Sequence, residues 1–250
     1  SAGLAFYSQA QLALRHADDA ILAAREARLS GHVSVGMAPS TASVLGVPFI
    51  NAMRESYPDV RLHLVESLSG NLERMINTRQ LDLAIVFQQE KILRWSARPV
   101  LEERLFLIGT HALLAPLQED HISPDQLTSL PLIMPSQGHG LRGRLEAVCQ
   151  QHHLSVEVVA DIDGLALLMQ AGRSGLGATL QPGAAISHLD HQALRVIDVV
   201  NPILSRPNFL VSLSDDELTP AGLAARVILS KVMRQLVESD RWPGATLYAH

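Results

Sequence analysis

Along the chain, the spacing of apolar positions switches between a helical period and a strand period. Ala10, Leu14, Ala17, Ile21 and Ala24 recur at three-and-four spacing, while Arg15, Asp18, Asp19, Arg25 and Glu26 occupy other positions. That pattern predicts one long helix from residue 1 to about 29. Its apolar stripe is small, so a second helix can approach closely, and it precedes the first strand; both features suit an intersubunit helix that ends at Gly31. HVSVGM (32–37) predicts a strand. The helix after it, capped by Ser40 or Thr41, runs to about Ser56, with Pro48 imposing a kink or a late start. SYPDV reads as a turn, RLHLVES (61–67) as a strand and 70–78 as a helix. LDLAIVF (81–87) reads as a buried strand and VLEERLFLI (100–108) as another.

The alternation then repeats. Ser123-Pro124-Asp125-Gln126 has the form of a capping box, with proline at the first helical position. PLIMP (131–135), VEVVAD (156–161), Gly177–Leu180, LRVIDVV (194–200) and PNFLVSL (207–213) predict strands. Residues 140–152 and 163–171 predict helices, and Thr219-Pro220 opens a final one reaching about Ser239. Residues 31–90 and 130–180 share this rhythm without clear identity. Two successive β-α-β sets imply two α/β subdomains with largely parallel sheets. A cleft between two such lobes is a favoured ligand site.

Composition narrows the class. The chain has 250 residues, 47% of them hydrophobic, enough for a sizeable core. Its formal net charge is -5, and no dense basic face is evident, so this part of the chain is not expected to grip duplex DNA by itself. Cys149 is the single cysteine; it cannot form an internal disulfide, which fits a reducing cytoplasm, and its place in an amphipathic stretch reads as core. The first twenty residues lack a basic leader and an unbroken apolar run, so no secretory signal is expected. No stretch is long and apolar enough to span a bilayer.

Several patterns imitate catalytic motifs. Gly138-His139-Gly140-Leu141-Arg142-Gly143 has the GxGxxG spacing, follows a strand and opens a helix, and Asp161 stands near the position of a ribose-binding acid. Its glycines begin three residues after PLIMP, and it occurs once, so a loop feeding a helix is the plainer reading. Gly172–Gly177 runs from helix to strand, the wrong direction for a phosphate cradle. The eleven histidines include His152-His153 and the pair His188 and His191; neither supplies the three or four converging ligands of a zinc site. No serine sits in GxSxG. No metal, cofactor or catalytic group is expected.

The order of segments carries a resemblance. GHVSVGMAPSTAS (31–43), AMRESYPDVRLHLVESLSGNLERMINTRQLDLAIVF (52–87) and LMQAGRSGLGATLQP (168–182) resemble, in order, the effector-binding domain of LysR-type transcription regulators. SAGLAFYSQAQLAL resembles the linker helix of that family, and the segment around residues 35–67 is most similar to its nitrogen assimilation control regulators.

The resemblance implies two Rossmann-like α/β subdomains of the periplasmic-binding-protein type II kind, joined by two crossover strands and preceded by the linker helix. The linker and dimerisation helix would be 1–30, subdomain I 31–100 plus 208–240, and subdomain II 101–207, with crossings at Phe87-Gln88 and Leu204-Ser205. A winged helix-turn-helix of about 60 residues would precede the linker; this chain holds no counterpart, so DNA contacts belong outside it. The effector would lie in the inter-lobe cleft, against Pro39, Ser40, Thr41, Ser69, Phe87, Ser136, Gln137, Gly138, His139 and Thr179. Helix N-termini there suit a small anion. A cytoplasmic homodimer or homotetramer that is not an enzyme is implied. The competing readings are a two-lobe solute-binding protein and a dinucleotide-dependent enzyme built on Gly138–Gly143.

Overall fold

The computed structural model describes residues 29–87, 95–137, 140–187, 192–213 and 217–248. The helix expected over the first 28 residues lies outside them, as do Gln88, Gly138, His139, His188 and His191. β1 (Gly31–Met37), α1 (Pro39–Ser56), β2 (Val60–Glu66), α2 (Ser69–Asn77) and β3 (Leu83–Val86) open the described fold. β1 pairs in parallel with both β2 and β3. The last five residues of β1 are all buried, because helices cover both faces of this part of the sheet. Gly36 shows how tight the cover is. A Cβ there would lie 2.5 Å from Leu81 Cδ1 and 2.8 Å from Leu72 Cδ2.

α1 differs from expectation at its start. Ala38 holds the N-cap position without a side-chain cap bond, and Pro39 opens the helix, as its fixed φ and missing N–H allow. Ser40 and Thr41 therefore sit inside the first turn instead of capping it. Pro48 lies within a continuous helix and does not delay its beginning.

β4 (Ser96–Thr110) follows, then β5 (His121–Ile122), a 3-10 turn (Pro124–Ser129), β6 (Pro131–Met134) and α3 (Gly140–Gln151). β7 (Glu157–Asp161), α4 (Leu165–Arg173), β8 (Thr179–Pro182), α5 (Gly183–Ile186) and β9 (Leu194–Val199) continue the chain. β10 (Ser205–Ser212), α6 (Pro220–Glu238) and β11 (Ala245–Leu247) complete it. Among the described residues, the strand order is β2-β1-β3-β10-β4-β9-β5, with β8 and β11 also paired to β4. β6 and β7 pair separately, in parallel. The sheet is mixed instead of largely parallel, because β10, β11, β8 and β9 all run antiparallel to β4. The segment expected to cap at Ser123 is a short 3-10 turn in which the Ser123 N–H donates to Gln126 Oε1 at 3.0 Å.

Two large cores result. The first gathers Val33, Val35, Phe49, Leu83 and Leu101 with Leu210, Leu229, Met233 and Trp242. The second gathers Leu105, Leu107, Leu132, Leu145, Leu180, Ile197 and Leu204. α6 belongs to the first. Thr219 Oγ1 accepts from the Gly222 N–H at 3.1 Å to cap it, and Ala221, Ala225, Leu229, Val232 and Leu236 place one buried face on the core. β4 serves both cores: Leu101 packs in the first and Leu105 in the second. β3 ends at Val86, and on β4 the packing changes from the first core at Leu101 to the second at Leu105. The return passes from Leu204 in the second core to Leu210 in the first.

Candidate functional site

The carboxyl ends of the three parallel strands β1, β2 and β3 converge on one place. Ala38, Pro39 and Ser40 follow β1, Leu68 follows β2, and Phe87 follows β3; all five line a cavity of about 40 Å3. The opposite wall comes from the second core's elements: Pro135, Leu141, Ile162, Asp163, Leu165 and Gln181. The chain leaves β1 toward β2 on one side and is flanked by β3 on the other. This is a topological switch point, where loops part and leave a crevice. The N-termini of α1 and α2 both start there, with unsatisfied N–H groups and the positive end of the helix dipole. The Ser67 N–H donates to the Met37 carbonyl at 3.2 Å and ties the two loops together.

A buried ion pair supports the crevice. Glu103 on β4 and Arg206 on β10 are direct cross-strand partners, 0% and 5% exposed. Arg206 Nε and Nη2 each lie 2.9 Å from Glu103 Oε2. Arg206 Nη2 also donates to Ser40 Oγ at 2.9 Å, and its guanidinium lies 3.7 Å from the centre of the Phe87 ring. Glu103 Oε1 accepts from the Ala184 N–H and from Trp242 Nε1, each at 2.8 Å. Burial pulls the Arg206 guanidinium below its usual range, and the Glu103 carboxylate pushes it back up. The pair is neutral as a whole, so attraction for an anion comes mainly from the helix ends.

Pro39, Ser40 and Phe87 thus line the cavity. Thr41 and Ser69 adjoin it in sequence, next to the lining residues Ser40 and Leu68, and are 0% and 6% exposed. Both hydroxyls are buried without a hydrogen-bond partner among the described residues. Thr179 is buried, and its Oγ1 accepts from Nε2 of the lining residue Gln181 at 3.1 Å. Ser136 is half-buried and reaches the wall indirectly, its N–H donating to Asp163 Oδ1 at 2.9 Å. Gln137 is exposed and does not line the cavity. Gly138 and His139 lie outside the described residues. The sequence reading missed Glu103, Arg206, Gln181 and Asp163. A charged residue inside the apolar strand VLEERLFLI was the available signal for Glu103. Asn208, two residues beyond Arg206, is fully buried with neither amide atom paired.

Asp161, which a dinucleotide site would need for the ribose, pairs with Arg142 Nη1 at 3.3 Å. Among the described residues, no three His, Cys, Asp or Glu side chains come together as metal ligands. No described helix is long and apolar enough to cross a membrane.

The LysR substrate binding domain family matches residues 26–234. The chain belongs to that family. Among curated relatives of this LysR domain is the nitrogen assimilation regulatory protein nac of Escherichia coli K12. It is 29% identical over 253 residues, which cover 96% of this chain and 79% of that protein. Nac of Klebsiella aerogenes is 28% identical, covering 95% and 78%. The fold matches the effector binding domain of QuiR in complex with shikimate at a TM-score of 0.71 and 16% identity, over 83% of this chain and 99% of that one. It matches the Synechocystis PCC6803 CcmR regulatory domain in complex with 2-PG at 0.74 and 17%, with the same coverage. The chain is the effector-binding domain of a LysR-type regulator, with a mixed α/β fold.

Proposed function

We propose that the crevice between the two cores binds a small anionic effector, and that binding changes the relative setting of the cores. What carries the reading is the convergence of three strand ends and two helix N-termini on one cavity. Two buried, unpaired hydroxyls, Thr41 and Ser69, stand beside it. Such groups are rare in a stable core and gain most from a ligand that pairs them. The structural relatives support the class: the QuiR domain is in complex with shikimate and the CcmR domain with 2-PG.

A cavity of about 40 Å3 has room for a water or two. A ligand of several heavy atoms enters only as the two walls part. Residues 31–100 with 208–240 then act as one lobe and 101–207 as the other, linked through β4 and β10. The differential affinity of the ligand for the parted and closed settings is the free energy available to the switch. The assembly that reads the switch is a cytoplasmic homodimer or homotetramer, joined through the segment 1–30. A winged helix-turn-helix on the N-terminal side contacts DNA. The domain performs no catalysis.

The test is thermal unfolding in the presence of small carboxylates, shikimate and 2-PG included. A ligand at a hundred times its Kd stabilises by about 2.7 kcal/mol, which raises Tm by roughly 5–10 °C for a domain of this size. Ser69→Ala and Thr41→Val remove hydroxyls that have no protein partner, so their unliganded Tm stays within about 2 °C of wild type. Their ligand-induced rise shrinks by half or more. Variants that keep the full rise would refute this site. Scattering curves that stay unchanged at saturation would refute the change in lobe setting.

A further inference from the structure

A groove of about 850 Å3 runs between α6 and the first half of β4 and shares no lining residue with the crevice. Its floor is apolar: Leu210 and Met233 line it and are 5% and 1% exposed, continuous with the first core. Arg98, Arg226 and Arg234 also line it, and no described lining residue is acidic. In a chain with 25 acidic and 20 basic side chains, Arg98 and Arg234 without a carboxylate among the described lining residues mark a local reversal of sign; Arg226 is engaged in a further interaction. Arg226 Nη1 lies 3.3 Å from Ser212 Oγ, and Arg98 and Arg234 form no ion pair with a described residue. Tyr248 closes one end, its hydroxyl donating to the Glu102 carboxylate.

A volume of this order, an apolar floor and a few polar groups are the ordinary features of a small-molecule site. Duplex DNA is gripped by a dense basic face that follows the backbone, and three arginines around a recess do not make one. We propose that this groove is a second ligand site of the domain, taking an organic anion with a flat apolar body. The anionic group pairs with the guanidiniums of Arg98 and Arg234, which present planar forks of donors. The ring lies on Leu210 and Met233.

The test compares two fluorescent probes on the intact chain: 8-anilino-1-naphthalenesulfonate and its uncharged parent, N-phenyl-1-naphthylamine. The sulfonate is expected to bind one per chain, and more tightly than the neutral probe. Arg98→Gln with Arg234→Gln, both exposed positions, weakens the sulfonate about tenfold, since each exposed ion pair is worth up to about 1 kcal/mol. The neutral probe is unaffected, and the variant's cooperative melting shows that the fold persists. Ser69→Ala in the crevice leaves both probes unchanged. Equal affinity for the two probes, or a double variant that still prefers the sulfonate, would overturn the proposal. So would loss of binding through Ser69→Ala alone, which would place the probe in the crevice.

Discussion

Replacing Glu103 by alanine strips the counter-charge from Arg206 where both residues are almost wholly buried. A buried ion pair broken on one side costs about 3–5 kcal/mol, because the remaining charge stays desolvated. The Ala184 N–H and the Trp242 indole N–H lose their acceptor as well, at about 1–3 kcal/mol each if they stay dry. These costs overlap, since water admitted to the hole serves all three donors. A total of about 4–6 kcal/mol is expected, against a whole stability of about 5–15 kcal/mol. Tm falls by roughly 10–20 °C. Urea unfolding at 25 °C followed by circular dichroism measures the loss directly. The double variant Glu103→Leu with Arg206→Met removes both charges and retains apolar volume. It loses less than the single variant despite carrying two changes, because no charge is left buried and only neutral groups, the Ala184 and Trp242 N–H groups and the Ser40 hydroxyl, lose a partner. A Glu103→Ala protein within about 1 kcal/mol of wild type would refute the reasoning, as would a double variant less stable than the single one.

Gly183 on α5 packs directly against the C-terminal segment: a Cβ there would stand 1.6 Å from the Pro243 carbonyl oxygen. Gly183→Ala therefore displaces the segment carrying β11 and lowers Tm by at least about 5 °C in a melting scan; an unchanged Tm would sink the idea. The Cys149 thiol is buried, and burial first, then the Glu146 carboxylate, holds its pKa above the ordinary thiol value. The thiolate is the reactive form, so at pH 8 the native protein reacts with a disulfide reagent at least about tenfold more slowly than the urea-unfolded chain. The native rate rises only at pH values above the range where an exposed thiol ionises. Equal rates in the two states would contradict this placement.

Much of the fold is legible in local pattern. VSVGM and LAIV are runs buried on both faces, and the Thr219-Pro220 start of α6 is visible from its cap. The start of α1 was misread because Ser40 and Thr41 are good caps by type, whereas Pro39 imposes the first helical position and leaves the cap to Ala38. β4 was read as nine residues because Arg98-Pro99 look like a break. Pro99 instead faces Phe209 beside an irregularity in the β10 register, where a missing N–H is tolerated. β11 has three residues, too few to show a period. At the candidate crevice, the places of Pro39, Ser40 and Phe87 are legible because each follows a predicted strand. Arg206 and Glu103 are 103 residues apart and meet only through the pairing of β10 with β4, which no local spacing announces.

The order in which the two cores can close during synthesis follows from the double passage through β4 and β10. The second core draws only on residues 105 to 204, a continuous stretch. The first draws on Val33 through Leu101, on Ala184 from the inserted stretch, and on Leu210 through Trp242, so its early strands leave the ribosome well before β10 and α6 exist to cover them. The inserted half can be completed while β1 and β3 still lack their last neighbours. Exposed apolar strands of that kind invite wrong pairing. Closing the outer core also requires joining segments more than a hundred residues apart, a loop-closure cost that slows the final step. A short intervening core that folds early brings the ends of β4 and β10 together and reduces that loop to the length of a pair of adjacent strands.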